Sequence, residues 1–194
     1  MSPSLPRIVL AALCAALAWF LWGVVAHMAL SLGESSYRRL PNEAAVTAAL
    51  ASTTPEDGMY TFPWLDNGPD GQEATMDQYA EAYRKGPVGI LVYRRTVAEM
   101  MPPSTMLKEF GAGFAASLVA ALVLSRIQWG AFAAARAAGL AALACWLSND
   151  LSLWIWYGYP WSWVTSTLIE QVVGWSIAGA VIASIVHRGV GAKA

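Results

Sequence analysis

Apolar and polar positions divide the chain into four long apolar runs and one long polar interval. The first run covers residues 8–32 and is broken only by His27. At about 1.5 Å of rise per residue, a helix of this length crosses about 30 Å of hydrocarbon with some tilt. The apolar core of a secretory leader is shorter, about 7–15 residues, so an anchoring helix is expected despite the basic Arg7 ahead of it. A second run spans residues 105–124 and follows Met101-Pro102-Pro103-Ser104, where proline suits a helix start because the first amides lack partners anyway. The third, residues 129–147, is mostly alanine, and the fourth covers Trp161–Val186. Ser125-Arg126-Ile127-Gln128 makes a tight link between the second and third runs.

The polar interval, residues 33–104, holds most of the charge and carries its own punctuation. Asn42 is placed to cap a helix over residues 43–51, which Thr53-Thr54-Pro55 ends. Glu56-Asp57-Gly58 turns the chain into a strand at 59–62. Asp66-Asn67-Gly68-Pro69-Asp70-Gly71 reads as a loop. A second helix over residues 73–85 is stopped by Gly86-Pro87, and a second strand follows at 89–93. This small α/β insertion has too little apolar sequence for a large core, so it is expected to rest on the apolar helices.

The expected fold is an all-α integral membrane protein, a four-helix transmembrane bundle with a small α/β extracytoplasmic cap between its first and second helices. By residue number, 1–33 hold the first helix, 34–104 the cap, and 105–147 the second and third helices. Residues 148–160 form an outer aromatic connection, and 161–194 the fourth helix and tail. Composition agrees: 57% of residues are hydrophobic and 13% charged, where soluble domains carry about a quarter charged. The net charge of −1 gives no reason to expect nucleic acid as a partner. Cys14 and Cys145 fall at opposite depths of such a bundle, which rules against a disulfide between them.

Four spans put both termini on one side, together with Arg7, Arg126, Arg188 and Lys193 and no acidic residue. The positive-inside rule then places the termini in the cytoplasm, in a bacterial inner membrane, and the cap outside. Arg38 and Arg39 argue the other way, but long translocated segments count little in this rule. Arg136 is expected to snorkel to the cytoplasmic surface.

The outer connection is dense in aromatic rings: Trp154, Trp156, Tyr157, Tyr159, Trp161 and Trp163. Such rings favour the membrane boundary because an apolar body is joined to an N–H or O–H that reaches water. They are expected to form an interfacial belt on a short helix, with a ligand platform as the sharper alternative. Asn149-Asp150 is placed to cap that helix, with binding of a cation as the sharper alternative.

Three ionisable groups sit inside the apolar runs. Glu170 lies roughly 5 Å outward from the middle of the fourth span, and His27 roughly 10 Å outward in the first, by the helical rise. Glu109 reaches a similar level in the second. A bare carboxylate at that depth costs about 2.5–3.5 kcal/mol, so Glu170 should face the bundle and find a partner. Ser166, Thr167 and Gly174 share roughly its face. The matched depths make His27, Glu109 and Glu170 a candidate ligand or proton pocket. The plainer alternative is that Glu170 bonds a neighbouring helix for packing alone. The spacing lacks an HxxxH or ExxH pair, so no metal is expected. His27 and His187 fall at opposite ends of the bundle, which excludes them as paired haem ligands, and no other cofactor is implied.

Nucleophile elbow, Walker loop, HExxH and dinucleotide-binding glycines are all missing from the sequence. The leading expectation is a non-enzymatic membrane subunit or scaffold that packs against other membrane proteins or copies of itself within the lipid bilayer. A small oligomeric transporter or ligand-binding protein with a protonatable Glu170 is the alternative, and an enzyme acting on lipid the third.

Overall fold

The computed structural model describes residues 3–66 and 72–187. Residues 67–71 of the expected loop, and Arg188 and Lys193 of the basic end, lie outside the described residues. Among the described residues, four helices are long and apolar enough to cross a membrane: Leu5–Ala29, Pro103–Leu124, Ala131–Tyr157 and Trp161–Val186. The described residues are mostly helical, with one small two-stranded sheet.

Helix α1 runs Leu5–Val24 and opens with a proline in its first turn. It continues into a π-helical turn, Val25–Ala29, so the first helix ends short of the expected Leu32. Ser31, at φ 49°, and Gly33, at φ 88°, turn the chain away, and a 3₁₀ turn follows at Glu34–Ser36. Helix α4 (Pro103–Leu124) starts at Pro103, with Pro102 as its extended first boundary. Helix α5 spans Ala131–Ser148, α6 Asp150–Tyr157 and α7 Trp161–Val186. Gly158, at φ 68°, adopts the left-handed conformation that closes α6, and Pro160 then sets the extended entry to α7. Asn149 does not cap α6 as expected. Its backbone stays helical, and its side-chain amide donates back to the Cys145 carbonyl at 2.9 Å, so it finishes α5 instead.

In this unit, Met1–Tyr37 with Met101–Ala194, helix α7 lies between α1 and α5. Helix α4 packs mainly on α1 and makes at most marginal contact with α5, its neighbour in sequence. Small residues let the backbones approach closely, which is the main source of attraction between helices in lipid. A Cβ on Gly179 would come within 2.7 Å of the Ala134 carbonyl oxygen on α5. One on Gly174 would meet the indoles of Trp19 and Trp22 on α1 at 2.9 Å. The buried core follows the same lines, with Ala11, Ala12 and Ala15 of α1, Ala134 of α5, and Ala178 and Ile182 of α7.

The second unit, Arg38–Met100, is an insertion between α1 and α4. Helix α2 (Glu43–Thr53) is capped by Asn42, whose side-chain oxygen accepts from the Ala45 amide. Helix α3 (Met76–Lys85) begins three residues later than expected. Thr75 and Gln78 form a reciprocal capping box there, which fixes the first turn. Strands β1 (Gly58–Phe62) and β2 (Gly89–Tyr93) pair antiparallel, with Tyr60 opposite Leu91. Among the described residues of this unit, Thr54 alone is buried.

Candidate functional site

Glu170, near the middle of α7, collects contacts from α1. Its carboxylate Oε1 lies 3.0 Å from His27 Nε2, and its backbone carbonyl accepts the Trp22 indole N–H at 2.9 Å. The π turn accounts for how Trp22 and His27 both reach one residue. Five positions along a regular α-helix are about 140° apart in azimuth. A turn closed by i→i+5 bonds instead brings such residues towards one face. The turn is directly visible in the Leu30 amide, which donates to the Val25 carbonyl at 3.0 Å.

The environment of the pair is uneven. The His27 side chain is 58% exposed and that of Glu170 23%, and a Cβ on Gly23 would stand 4.0 Å from Glu170 Oε1. With Glu170 ionised, Nε2–H of His27 donates to Oε1, and a second proton on the imidazole turns the same contact into an ion pair. The pair can therefore hold a proton or accept a polar group from the open side of His27.

Glu109 does not join them. It is exposed on α4 and makes no hydrogen bond or ion pair among the described residues. Phe110, the next residue, packs edge-on against Phe20 of α1 at 6.1 Å between centroids, and Gly113 faces Trp19. Matched depth therefore left the azimuth open, and α4 presents its neighbours to α1 instead of its carboxylate. Arg136 is exposed and forms no ion pair with Glu170. Among the described residues no group of three or more His, Cys, Asp or Glu side chains is arranged to hold a metal.

The small-residue face of α7 also divides. Ser166 lies beside Gly33, and Gly174 against Trp19 and Trp22, on the α1 side. Thr167 turns instead towards α5, where its hydroxyl accepts the Trp146 indole N–H at 3.2 Å. That buried indole also donates to the Val164 carbonyl at 2.8 Å. Gln171 reaches α6, donating to Asp150 Oδ2 at 3.1 Å. Ser36 and Ser162 meet at 2.9 Å between hydroxyl oxygens. The Trp161 half of α7 thus carries polar ties to the first helix, the 3₁₀ turn, α5 and α6, whereas the Val186 half packs through alanine, glycine and isoleucine.

The aromatic group resolves into two clusters. Trp154 and Trp161 meet edge-on at 5.4 Å, and Trp163 packs between Tyr159 at 6.2 Å and Tyr37 at 6.0 Å. Trp156 and Tyr157 are exposed on α6. Reasoning from sequence missed the hydrogen bonds of Trp22 and Trp146 and the packing of Tyr37. For the two tryptophans a signal existed: an indole N–H inside an apolar helix must find an acceptor.

In the inserted unit, an open cleft of about 640 Å³ lies between Trp64 and the start of α3, lined also by Glu73, Thr75, Gln78 and Lys85. Comparison with protein-family models, curated proteins and solved structures finds no match for this chain.

Proposed function

We propose that this protein is a multi-pass subunit or scaffold of a bacterial inner membrane, with both termini cytoplasmic and the inserted unit outside. It binds other membrane proteins, or copies of itself, through its helices and that unit. One observation carries the reading: the inserted unit orders two helices and a hairpin-like sheet while burying Thr54 alone among its described residues. An isolated two-stranded sheet is marginal in water, and ordering each backbone residue costs about 1–2 kcal/mol. Such a unit needs a surface from outside itself.

Native mass spectrometry of the protein released from its own membranes, with cross-linking before extraction, tests the reading. A defined complex or homo-oligomer is expected. A lone monomer both in native membranes and in mild detergent would sink it.

A second reading rests on the His27–Glu170 pair, a protonatable contact open on one side. In that reading the protein is a small oligomeric carrier or ligand-binding protein. Glu170→Gln then abolishes transport or binding and leaves assembly intact, whereas a scaffold loses neither partner nor assembly with the same change.

A further inference from the structure

The His27–Glu170 contact uses only one of the two imidazole nitrogens. Nε2 faces Glu170 Oε1 at 3.0 Å, whereas Nδ1 makes no hydrogen bond among the described residues, on a side chain that is 58% exposed. An ionised carboxylate only accepts, so it holds the neutral imidazole as the Nε2–H tautomer. The lone pair of Nδ1 is then left on the far side of the ring from the carboxylate. The nearby Trp22 N–H cannot fill it, because that proton is already given to the Glu170 carbonyl.

Charge narrows what can fill it. With His27 neutral the pair carries a net charge of −1, half-buried in an apolar helix pair where such a charge is costly. Charged side chains on the elements packed against α1 and α7 are Glu34 of the 3₁₀ turn, Lys108 and Glu109 of α4, Arg136 of α5 and Asp150 of α6. Asp150 is held by Gln171, the other four are exposed, and none forms an ion pair with His27 or Glu170. Two things can balance the charge through the ring: a second proton on Nδ1, or a cation whose N–H donates to Nδ1. One lone pair serves only one of them. A carbonyl or phosphoryl oxygen brings only further lone pairs and suits neither state of the charge.

We infer, building on the ligand-binding reading of this pair, that Nδ1 of His27 binds a primary ammonium group, of a free amine or of an ethanolamine headgroup, in exchange for a proton. The Nδ1–H bond breaks, its proton leaves to water, and a hydrogen bond from the ammonium N–H takes the freed lone pair. Glu170 fixes the tautomer and supplies the charge without touching the ligand.

The test titrates ethylammonium into full-length protein carrying isotope-labelled histidine, in phosphatidylcholine nanodiscs. His27 is identified by its absence from the spectrum of His27→Gln. A saturable change of its Nδ1 resonance is expected. The apparent affinity should rise about tenfold per pH unit while His27 is still protonated and level off once it is neutral, since one proton is released per amine bound. Tetramethylammonium, charged but without an N–H, should leave the resonance in place. Glu170→Gln still accepts from Nε2–H but carries no charge, and should weaken the amine about tenfold. If that variant does not fold, the pH dependence of the unchanged protein decides. A resonance already shifted in phosphatidylethanolamine discs assigns the ammonium to a headgroup, and a shift only on addition of ethylammonium assigns it to a solute. An equal response to tetramethylammonium, or an affinity that does not change with pH, overturns the inference. A response to glycerol but not to ethylammonium overturns it and leaves the ligand-binding reading standing, whereas no response to either sinks both.

Discussion

Glu170 and Gln171 are neighbours on α7 and hold different elements, Glu170 reaching His27 of the first helix and Gln171 reaching Asp150 of α6. Successive residues on a helix diverge by about 100°, so this one step of chain ties together both flanks of the central helix.

Removing the first tie should loosen the α1–α7 contact. Glu170→Ala is expected to cost about 1 kcal/mol, below the usual range for a charged hydrogen bond because His27 is largely exposed. Glu170→Gln keeps an acceptor for His27 and should cost less. Unfolding in mixed micelles measures both, and an equal loss for the two variants would show that the contact is not a hydrogen bond of consequence.

The second tie is separable from the first. Gln171→Ala leaves Asp150 without its partner, and amide exchange in α6 should quicken while exchange in α1 stays as it was. Faster exchange in both helices would mean that the flanks are coupled through α7.

Close packing makes two glycines unequal. At Gly179 the obstacle to a Cβ is the backbone oxygen of Ala134, whereas at Gly174 it is the side chains of Trp19 and Trp22. Both alanine variants overpack their contacts and should lose about 1–3 kcal/mol, with Gly179→Ala the worse because a backbone yields least. The reverse order of stabilities would contradict the close α5–α7 approach.

Trp146 tests the polar tie to α5. Trp146→Phe retains most of the buried ring but loses the N–H to Val164 and Thr167, for about 1 kcal/mol. Trp146→Ala also empties the site and should cost about 3–5 kcal/mol. If phenylalanine proves as harmful as alanine, the hydrogen bonds rather than the packing hold α5 in place.

Exchange should also separate the two units. Amides of β1 and β2 in the purified protein are expected to exchange far faster than those of α7, because almost nothing shields the sheet. Addition of the missing surface should slow them. Slow exchange without any addition would argue that the unit is complete as it stands.

Much of the architecture was legible. The four helices match apolar runs bounded by proline, glycine and polar turns, and the fourth was placed at Trp161–Val186 from the sequence. Elements of the insertion were legible from Asn42, Glu56-Asp57-Gly58 and Gly86-Pro87. Helix α3 starts three residues after Glu73, because the Thr75–Gln78 box sets the boundary. Of the three groups expected to share a pocket, His27 and Glu170 meet and Glu109 stays apart.

The sequence by itself determined the four long apolar helices and their approximate bounds, because hydrophobic length and backbone punctuation are local properties. It also determined the approximate level of each ionisable group, since rise per residue is nearly constant. Only the tertiary structure decided which groups meet. Each residue turns a helix by about 100°, so a small change of register redirects a side chain without altering its depth. The π turn at Val25–Ala29 makes such a change, and through it His27 faces Glu170 beside Trp22.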